Sequence, residues 1–328
     1  MQDAGRHAPL RIMVAALTRR RPDMLKTLLG SWIACDLPEN ASVQFLIVEN
    51  DEAPRCEQIV HAFAREATDR SIHYVHEPEP GIPFGRNRAA REAVACAADL
   101  LAFVDDDESV GKDWLVQIVN AHRQSGAVLI GGPVRVKESR HDLSFLQRLM
   151  QTCVVRRYQR KEQRAARLAG LEGTPGVTIV TNNWLGETSL FSAHGMWFDE
   201  DMRFTGGSDA KFCAQIRSKG LPTAWAKGAV VYEEIAPERL GIGYQFKRAR
   251  DQSSTHYARK ASLAWRAALD FLVLMPAKTI AFAFLVFALP FTGGRTLLQA
   301  VRTGGWIAGR FEALAGRKSD HYKAATGD

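Results

Sequence analysis

Four consecutive carboxylates, Asp105, Asp106, Asp107 and Glu108, follow an apolar run from Leu100 to Val104 with no spacer. Adjacent carboxylates repel one another, and a cation seated among them relieves the repulsion. An Asp-x-Asp pair at a strand end can hold one divalent cation and still leave a carboxylate for a sugar hydroxyl. Mg2+ and Mn2+ prefer such hard oxygen ligands, and Mg2+ is commonly shared between one or two carboxylates and substrate phosphates. The combination suits a nucleotide-diphosphate substrate whose leaving group the metal neutralises. The plainer alternative is a solvated turn that opens the next helix, with acids near a helix N-terminus. The elements that flank the run decide between the two.

Leu10–Thr18 is a short apolar run that predicts a buried strand. Pro22 suits the first turn of a helix whose apolar face is Met24, Leu25, Leu28, Leu29 and Trp32. Further strands are predicted at 42–50, 71–77, 99–107 and 127–136, alternating with helices at 54–68, 84–98 and 113–124. This alternation predicts an α/β fold, a mostly parallel sheet with helices on both faces. Ligands in such sheets bind just beyond the C-terminal strand ends. Thr18, Glu49, Asn50, Glu77 and the acidic run all fall at predicted strand ends, so they are expected to share one crevice. Residues 139–170 read as a long basic helix, 176–195 as irregular structure with short strands, and 206–220 as a loop feeding a capped helix. A last strand is expected at "AVVYEE", and residues 237–259 are expected to be helical.

The chain has 328 residues, enough for one large or two modest domains. Its five cysteines are scattered and include no CxxC pair, which speaks against a disulfide framework and a zinc site. The opening "MQDAGRHAPL" has no apolar core, so no cleaved signal peptide is expected. Arg239–Asp328 carries 14 Lys and Arg against 5 Asp and Glu, while the chain as a whole nets +7. The basicity therefore belongs to the C-terminal part. Two domains are expected, 1–238 catalytic and 239–328 basic and helical.

Several segments resemble, in order, the motifs of family 2 glycosyltransferases with the GT-A fold, of the kind that builds bacterial exopolysaccharide. "ALTRRRPDML" resembles the opening Thr-x-x-Arg-Pro stretch and supplies Thr18, Arg21 and Pro22. "LIVENDE" resembles the acidic strand end that recognises base and ribose, with Glu49 where the family usually has Asp, followed by Asn50. "GIPFGRNRA" resembles the Gly…Ala-Arg-Asn segment and supplies Arg86 and Asn87. "FVDDDE" resembles the DXD motif, with Asp105 and Asp107 as its acids. "TGGSDAKF" resembles the Gly-Glu-Asp segment, with Asp209 in the place of the base and Ser208 where Glu is common. Gln245 and Arg248 resemble the Gln-x-x-Arg of the family tail; Ala249 stands where processive synthases carry Trp, which weakens a processive reading.

The resemblance implies inverting transfer of a sugar from a nucleotide-diphospho-sugar, UDP-linked by expectation, to a hydroxyl of a polyprenyl-linked or glycan acceptor in cell-surface polysaccharide synthesis. It assigns a Mg2+ or Mn2+ ion to Asp107, with Asp105 on the ion, its water or the ribose. Glu49 is expected to face the base or ribose, Thr18 and Arg86 the nucleotide or phosphate, and Arg248 with Arg250 the pyrophosphate. Asp209 takes the acceptor's proton. Arg21, Asn50 and Asn87 complete the expected donor-binding set. His194 and His256 lack partners at a recognisable spacing. Trp184 and Trp197 suit either sugar stacking or core packing. Rival readings are a sugar nucleotidyltransferase, which would ordinarily carry a Gly-rich loop after the first strand, and a non-catalytic nucleotide-binding protein of the same fold.

Phe271–Phe291 is strongly apolar but interrupted by Pro276, Lys278 and Pro290, and it is flanked by Arg259, Lys260, Arg266 and Arg295. Interfacial or re-entrant helices on an anionic membrane surface are expected, at the cytoplasmic face of the bacterial inner membrane, with a single span as the runner-up and a buried soluble helix pair as the plain alternative. Nucleic acid is not an expected partner, because the basic tail is too apolar.

Overall fold

A computed structural model describes residues 8–139, 142–169, 177–203, 206–260 and 270–314. The described chain divides into two compact units, one comprising residues up to Arg135 with Lys161–Glu233, the other Val136–Arg160 with the described residues from Glu234 to Leu314. The elements, in order, are β1 (Leu10–Thr18), α1 (Pro22–Ala34), β2 (Ala41–Glu49), α2 (Glu57–Glu66), β3 (Ser71–His76) and α3 (Ile82–Ala95). They continue with β4 (Leu100–Asp105), β5 (Glu108–Val110), α4 (Trp114–Ser125), β6 (Leu129–Gly131), β7 (Val134–Val136) and α5 (Phe145–Leu168). Then come β8 (Asn183–Glu187), α6 (Ser189–Ser192), α7 (Ser208–Ser218), β9 (Thr223–Trp225), β10 (Val231–Glu233), α8 (Ile242–Lys260), α9 (Met275–Phe287) and α10 (Leu297–Leu314).

Seven strands form the main sheet in the order β3-β2-β1-β4-β8-β6-β9. β1 pairs in parallel with both β2 and β4, and β2 with β3. β8 is antiparallel to β4 and to β6. The alternation of side chains along β1 divides the core into two layers. Ile12, Val14 and Ala16 pack with Leu28, Trp32, Trp114 and Ile118 on one face of the sheet. Met13 and Ala15 pack with Ala89, Phe103, Trp184 and Phe212 on the other. Helices on both faces follow from strands that are apolar on both sides.

The fifth strand expected at 127–136 is broken into β6 and β7, which belong to different sheets. Between them lies Gly132-Pro133, and proline has no N–H to continue the ladder. A second sheet, β5-β10-β7, takes up the chain directly after the turn of the acidic run.

In the second unit, Leu143, Met150, Val154, Leu240, Leu297 and Leu298 form a core of their own. α10 lies close against α8. A Cβ at Gly305 would run into the Phe246 carbonyl, and one at Gly309 into the Arg250 carbonyl. The Arg310 guanidinium donates to the Ser253 carbonyl (2.8 Å) and sits over the Trp306 ring (4.5 Å). Gly309→Leu is expected to pry α10 from α8, at a cost of about 1–3 kcal/mol typical of overpacking, read by urea unfolding. An unchanged midpoint would show that the contact is not needed.

The apolar stretch at 271–291 forms a π-helical turn (Asp270–Leu274) and then α9, which is 13 residues long. At 1.5 Å per residue α9 spans about 20 Å, short of a bilayer core of about 30 Å. Among the described residues, no helix is long and apolar enough to cross a membrane. The five cysteines are all free. Arg266 lies outside the described residues, as do the side chains of Arg259, Lys260 and His256.

Candidate active site

The acidic run turns sharply from β4 into β5, so its four side chains crowd one strand end. Asp106 is buried and accepts from the Thr18 hydroxyl (2.9 Å) and the Arg21 guanidinium (2.9 Å). Arg21 also reaches Asp107 at 3.5 Å. The buried Glu108 accepts from the Asp105 amide (2.8 Å). In the antiparallel pair β5–β10, Glu108 stands directly opposite Glu233. Like charges in that position repel. Sequence reasoning gave Asp106 only the variable middle of the motif, and it passed over Glu233.

Burial raises the Asp105 carboxyl to about 7, with Asp107, Asp106 and Glu233 adding to the effect and Arg86 opposing it. Burial likewise raises Asp106 to about 6, against the pull of Arg21 and Thr18. Glu108 is pushed well above its ordinary value, by burial first and then by Asp105, Asp107 and Glu233. The cluster therefore holds more negative charge than Arg21 and Arg86 relieve. Its donors are all hard oxygens, which suits Mg2+ or Mn2+. Among the described residues, no group of three or more His, Cys, Asp or Glu side chains closes into a metal cage. Asp105 and Asp107 fit an ion that also takes oxygens from a substrate.

Arg86, buried on α3, links this strand end to a second element. Its guanidinium acts on Asp105 and donates to the Ser208 hydroxyl at 2.9 Å. Ser208 begins α7, and Asp209 is the next residue, in the first turn. One Asp209 oxygen accepts from the Ala210 amide (2.7 Å). The Ser in place of the family's Glu thus receives the arginine without adding another carboxylate.

Glu49 is fully buried at the end of β2. Its Oε2 accepts from the Arg55 and Cys56 amides (both 2.9 Å) and the Tyr74 hydroxyl (2.7 Å), while Oε1 is buried without a partner. Asp51, two residues on, holds Arg19, Arg20 and Arg55. Burial raises its carboxyl, but hydrogen bonds from Arg20, the Glu52 amide and Arg19 overcome that and lower it to about 2. Nothing in the motif pattern singled out Asp51.

Two asparagines expected to bind donor are engaged with the chain itself. Asn50 donates to the Glu77 and Glu79 carbonyls (3.2 and 2.7 Å) and accepts from the Gly81 amide (2.9 Å). Asn87 donates to the Phe198 carbonyl (2.9 Å) and Glu200 (2.8 Å) and accepts from the Phe198 amide (2.9 Å). They clasp the segments before and after the crevice. Asn50→Ala would strand the Gly81 amide and is expected to cost about 1–3 kcal/mol of stability in urea unfolding. A cost near zero would remove the clasp from the account.

Trp184 is a core residue, stacked on Phe103 (5.5 Å) with its edge to Phe198 and Phe212. Trp197 is half-exposed beside Arg91 (5.7 Å) and lines, with Glu200 and Asp201, a cavity of about 410 Å³. His194 is exposed on a turn. Gln245, Arg248 and Arg250 lie on α8 in the second unit; Arg250 pairs with Asp251 and Glu312.

A mostly parallel sheet with paired carboxylates at its central strand end and a candidate base in a facing helix turn is the layout of a GT-A glycosyltransferase. The chain belongs to glycosyltransferase family 2: the model described as "Glycosyltransferase like family 2" matches residues 7–254. It is 29% identical over 273 residues to the succinoglycan biosynthesis protein ExoM of Rhizobium meliloti (strain 1021), covering 79% of this chain and 80% of that protein. The mannosyltransferase PcManGT of Pyrobaculum calidifontis, solved with GDP-Man and Mn2+, is similar in fold. Its TM-score is 0.63 at 16% identity, with 94% of this chain and 88% of that one covered. S. aureus TarS 1-349, solved with UDP, gives 0.51 at 14% identity, covering 94% and 92%.

Proposed function

We propose that the protein transfers a sugar, with inversion, from a nucleotide-diphospho-sugar to an acceptor hydroxyl in bacterial exopolysaccharide synthesis. The relative named for succinoglycan biosynthesis and the nucleotide-bound neighbours favour this reading. The observation that carries it is the Arg86 bridge, which brings the Asp105 strand end and the start of α7 to one guanidinium.

Asp105 and Asp107 would hold a Mg2+ or Mn2+ ion, which neutralises the donor's diphosphate when bound. Thr18 and Arg21 fix Asp106 and so keep the strand end in place. Arg86 presents charge to the donor phosphates, and Glu49 is assigned to the base or ribose side of the crevice. Asp209 accepts the proton of the acceptor hydroxyl as that oxygen attacks the anomeric carbon and the nucleoside diphosphate leaves. Trp197 with Glu200 and Asp201 suits a sugar ring, one aromatic face with carboxylates for hydroxyls.

α9 is assigned to the interface of the cytoplasmic leaflet. Ile280, Phe284 and Phe287 share one face at helical spacing and are 72%, 67% and 69% exposed. Basic side chains near such a face favour anionic lipid.

A screen of nucleotide sugars by thermal shift with Mn2+, followed by donor hydrolysis, tests the reading. One nucleotide sugar is expected to raise the melting temperature and to be hydrolysed slowly without acceptor. A protein that no nucleotide sugar stabilises, with or without Mn2+, would contradict it.

A further inference from the structure

The second unit encloses a cavity of about 850 Å³ between α5, α8, α9 and α10. This is within the range of about 300–1,000 Å³ usual for small-molecule sites. Six cationic side chains line it: Arg156, Arg157, Arg160, Lys278, Arg295 and Arg302. No Asp or Glu is among its described lining residues. The nearby carboxylates Asp251 and Glu312 are paired with Arg250, which does not line the cavity.

Arg302 is the most telling member. Its guanidinium donates to two neutral amide oxygens, Gln252 Oε1 (2.9 Å) and Gln245 Oε1 (3.4 Å). Burial and the neighbouring Arg157 and Arg248 lower its pKa to about 10, against a smaller raising effect from Tyr158. A partly buried cation hemmed in by cations is relieved by an anion arriving in the cavity. Guanidinium forks match phosphate oxygens two at a time. Gln252, Gln299, Ser253 and Thr303 add neutral polar groups to the same wall. Lys278 enters from α9, held over the Trp306 ring at 5.9 Å.

We propose that this cavity is a second anion site that takes a diphosphate group, built from residues none of which belongs to the donor site at the end of β4. The number of arginines suits two linked phosphates better than one carboxylate. Under the glycosyltransferase reading, on which this step alone rests, the diphosphate is the one that tethers an acceptor glycan to its lipid. Lys278 lines the cavity from the side of α9 opposite Ile280 and Phe284. A lipid-borne group is thus met by charge from the helix whose other face is apolar and exposed.

The test is calorimetric titration of the full chain in EDTA at low salt, with inorganic pyrophosphate and, separately, with farnesyl diphosphate. Both are expected to bind saturably. Arg156→Gln with Arg295→Gln is expected to weaken both by roughly tenfold or more, given two lost charge-assisted contacts. Lys278→Gln, on a separate element, guards against a folding defect in the double variant and is expected to weaken them less. Asp107→Asn is expected to leave both unchanged. Absence of saturable binding overturns the site, and so does binding lost in Asp107→Asn but kept in the arginine variants. Tighter binding of farnesyl diphosphate supports the lipid tether; equal affinity supports a soluble diphosphate ligand and overturns the tether. Nucleotide-sugar binding with Mn2+, measured on the same samples, separates the two readings: its loss with pyrophosphate binding intact sinks only the donor assignment.

Discussion

Asp209→Asn is expected to lower the rate of sugar transfer by about 10²–10⁴-fold, the usual contribution of a general base, and to leave donor binding within about twofold. The asparagine keeps an oxygen for the Ala210 amide, so the first turn of α7 retains its hydrogen bond. What it loses is the capacity to take a proton. Helix-dipole stabilisation falls by only about 0.3–1 kcal/mol at such a position, too little to unfold the protein. Single-turnover transfer and donor calorimetry on the same preparation give the two numbers. Transfer that survives, or donor binding that falls with it, removes Asp209 from the role of base.

The second large effect is the response of stability to pH and cation. Asp105 and Asp106 are raised in the folded state to about 7 and about 6, above ordinary carboxylate values near 4. The folded protein therefore binds more protons than the unfolded chain between those limits. The stabilisation is complete below about 4 and is lost as pH rises through 6 and 7. Each pKa unit corresponds to about 1.4 kcal/mol, and a few kcal/mol in a domain of this size correspond to about 5 °C or more in melting temperature. Without metal, the protein is expected to melt at least that much lower at pH 8 than at pH 5. Mn2+ is expected to restore the loss at pH 8 and to do little at pH 5, where protons already offset the repulsion. Asp107→Asn should shrink both the pH slope and the Mn2+ effect. A melting temperature that is flat or rising over this range would show that the acids neither share protons nor await a cation.

Much of the first unit was legible because its strands are apolar on both faces and its helices carry a clear apolar stripe. Leu10–Thr18 and the acidic strand end stand where the pattern puts them. The second sheet was legible only in part: the strand expected at "AVVYEE" is β10 and the end of the one expected at 127–136 is β7, but β5 is three residues hidden in the acidic run, and strands this short do not show which others they pair with. Glu233 was missed although its strand was expected, because only the pairing of β10 with β5 sets it against Glu108. The motif pattern gave the spacing of Asp105 and Asp107 but not the division of labour, in which Asp106 is the acid held by Thr18 and Arg21. Asn50 and Asn87 show the limit of motif spacing most plainly. It marks both residues, while the hydrogen bonds of each amide are satisfied within the chain.

β8 fills the place between β4 and β6, and β10 brings Glu233 to Glu108. β8, which covers the second edge of β4, and β10, the partner of β5, both emerge from the ribosome long after the acidic run. At about 5–20 residues per second, the free edge of β4 stays open for several seconds while the intervening helices are made. A nascent chain halted before Val231 carries the acidic run without Glu233, the carboxylate that stands opposite Glu108. The acidic cluster is thus complete only when translation of the first unit is nearly done.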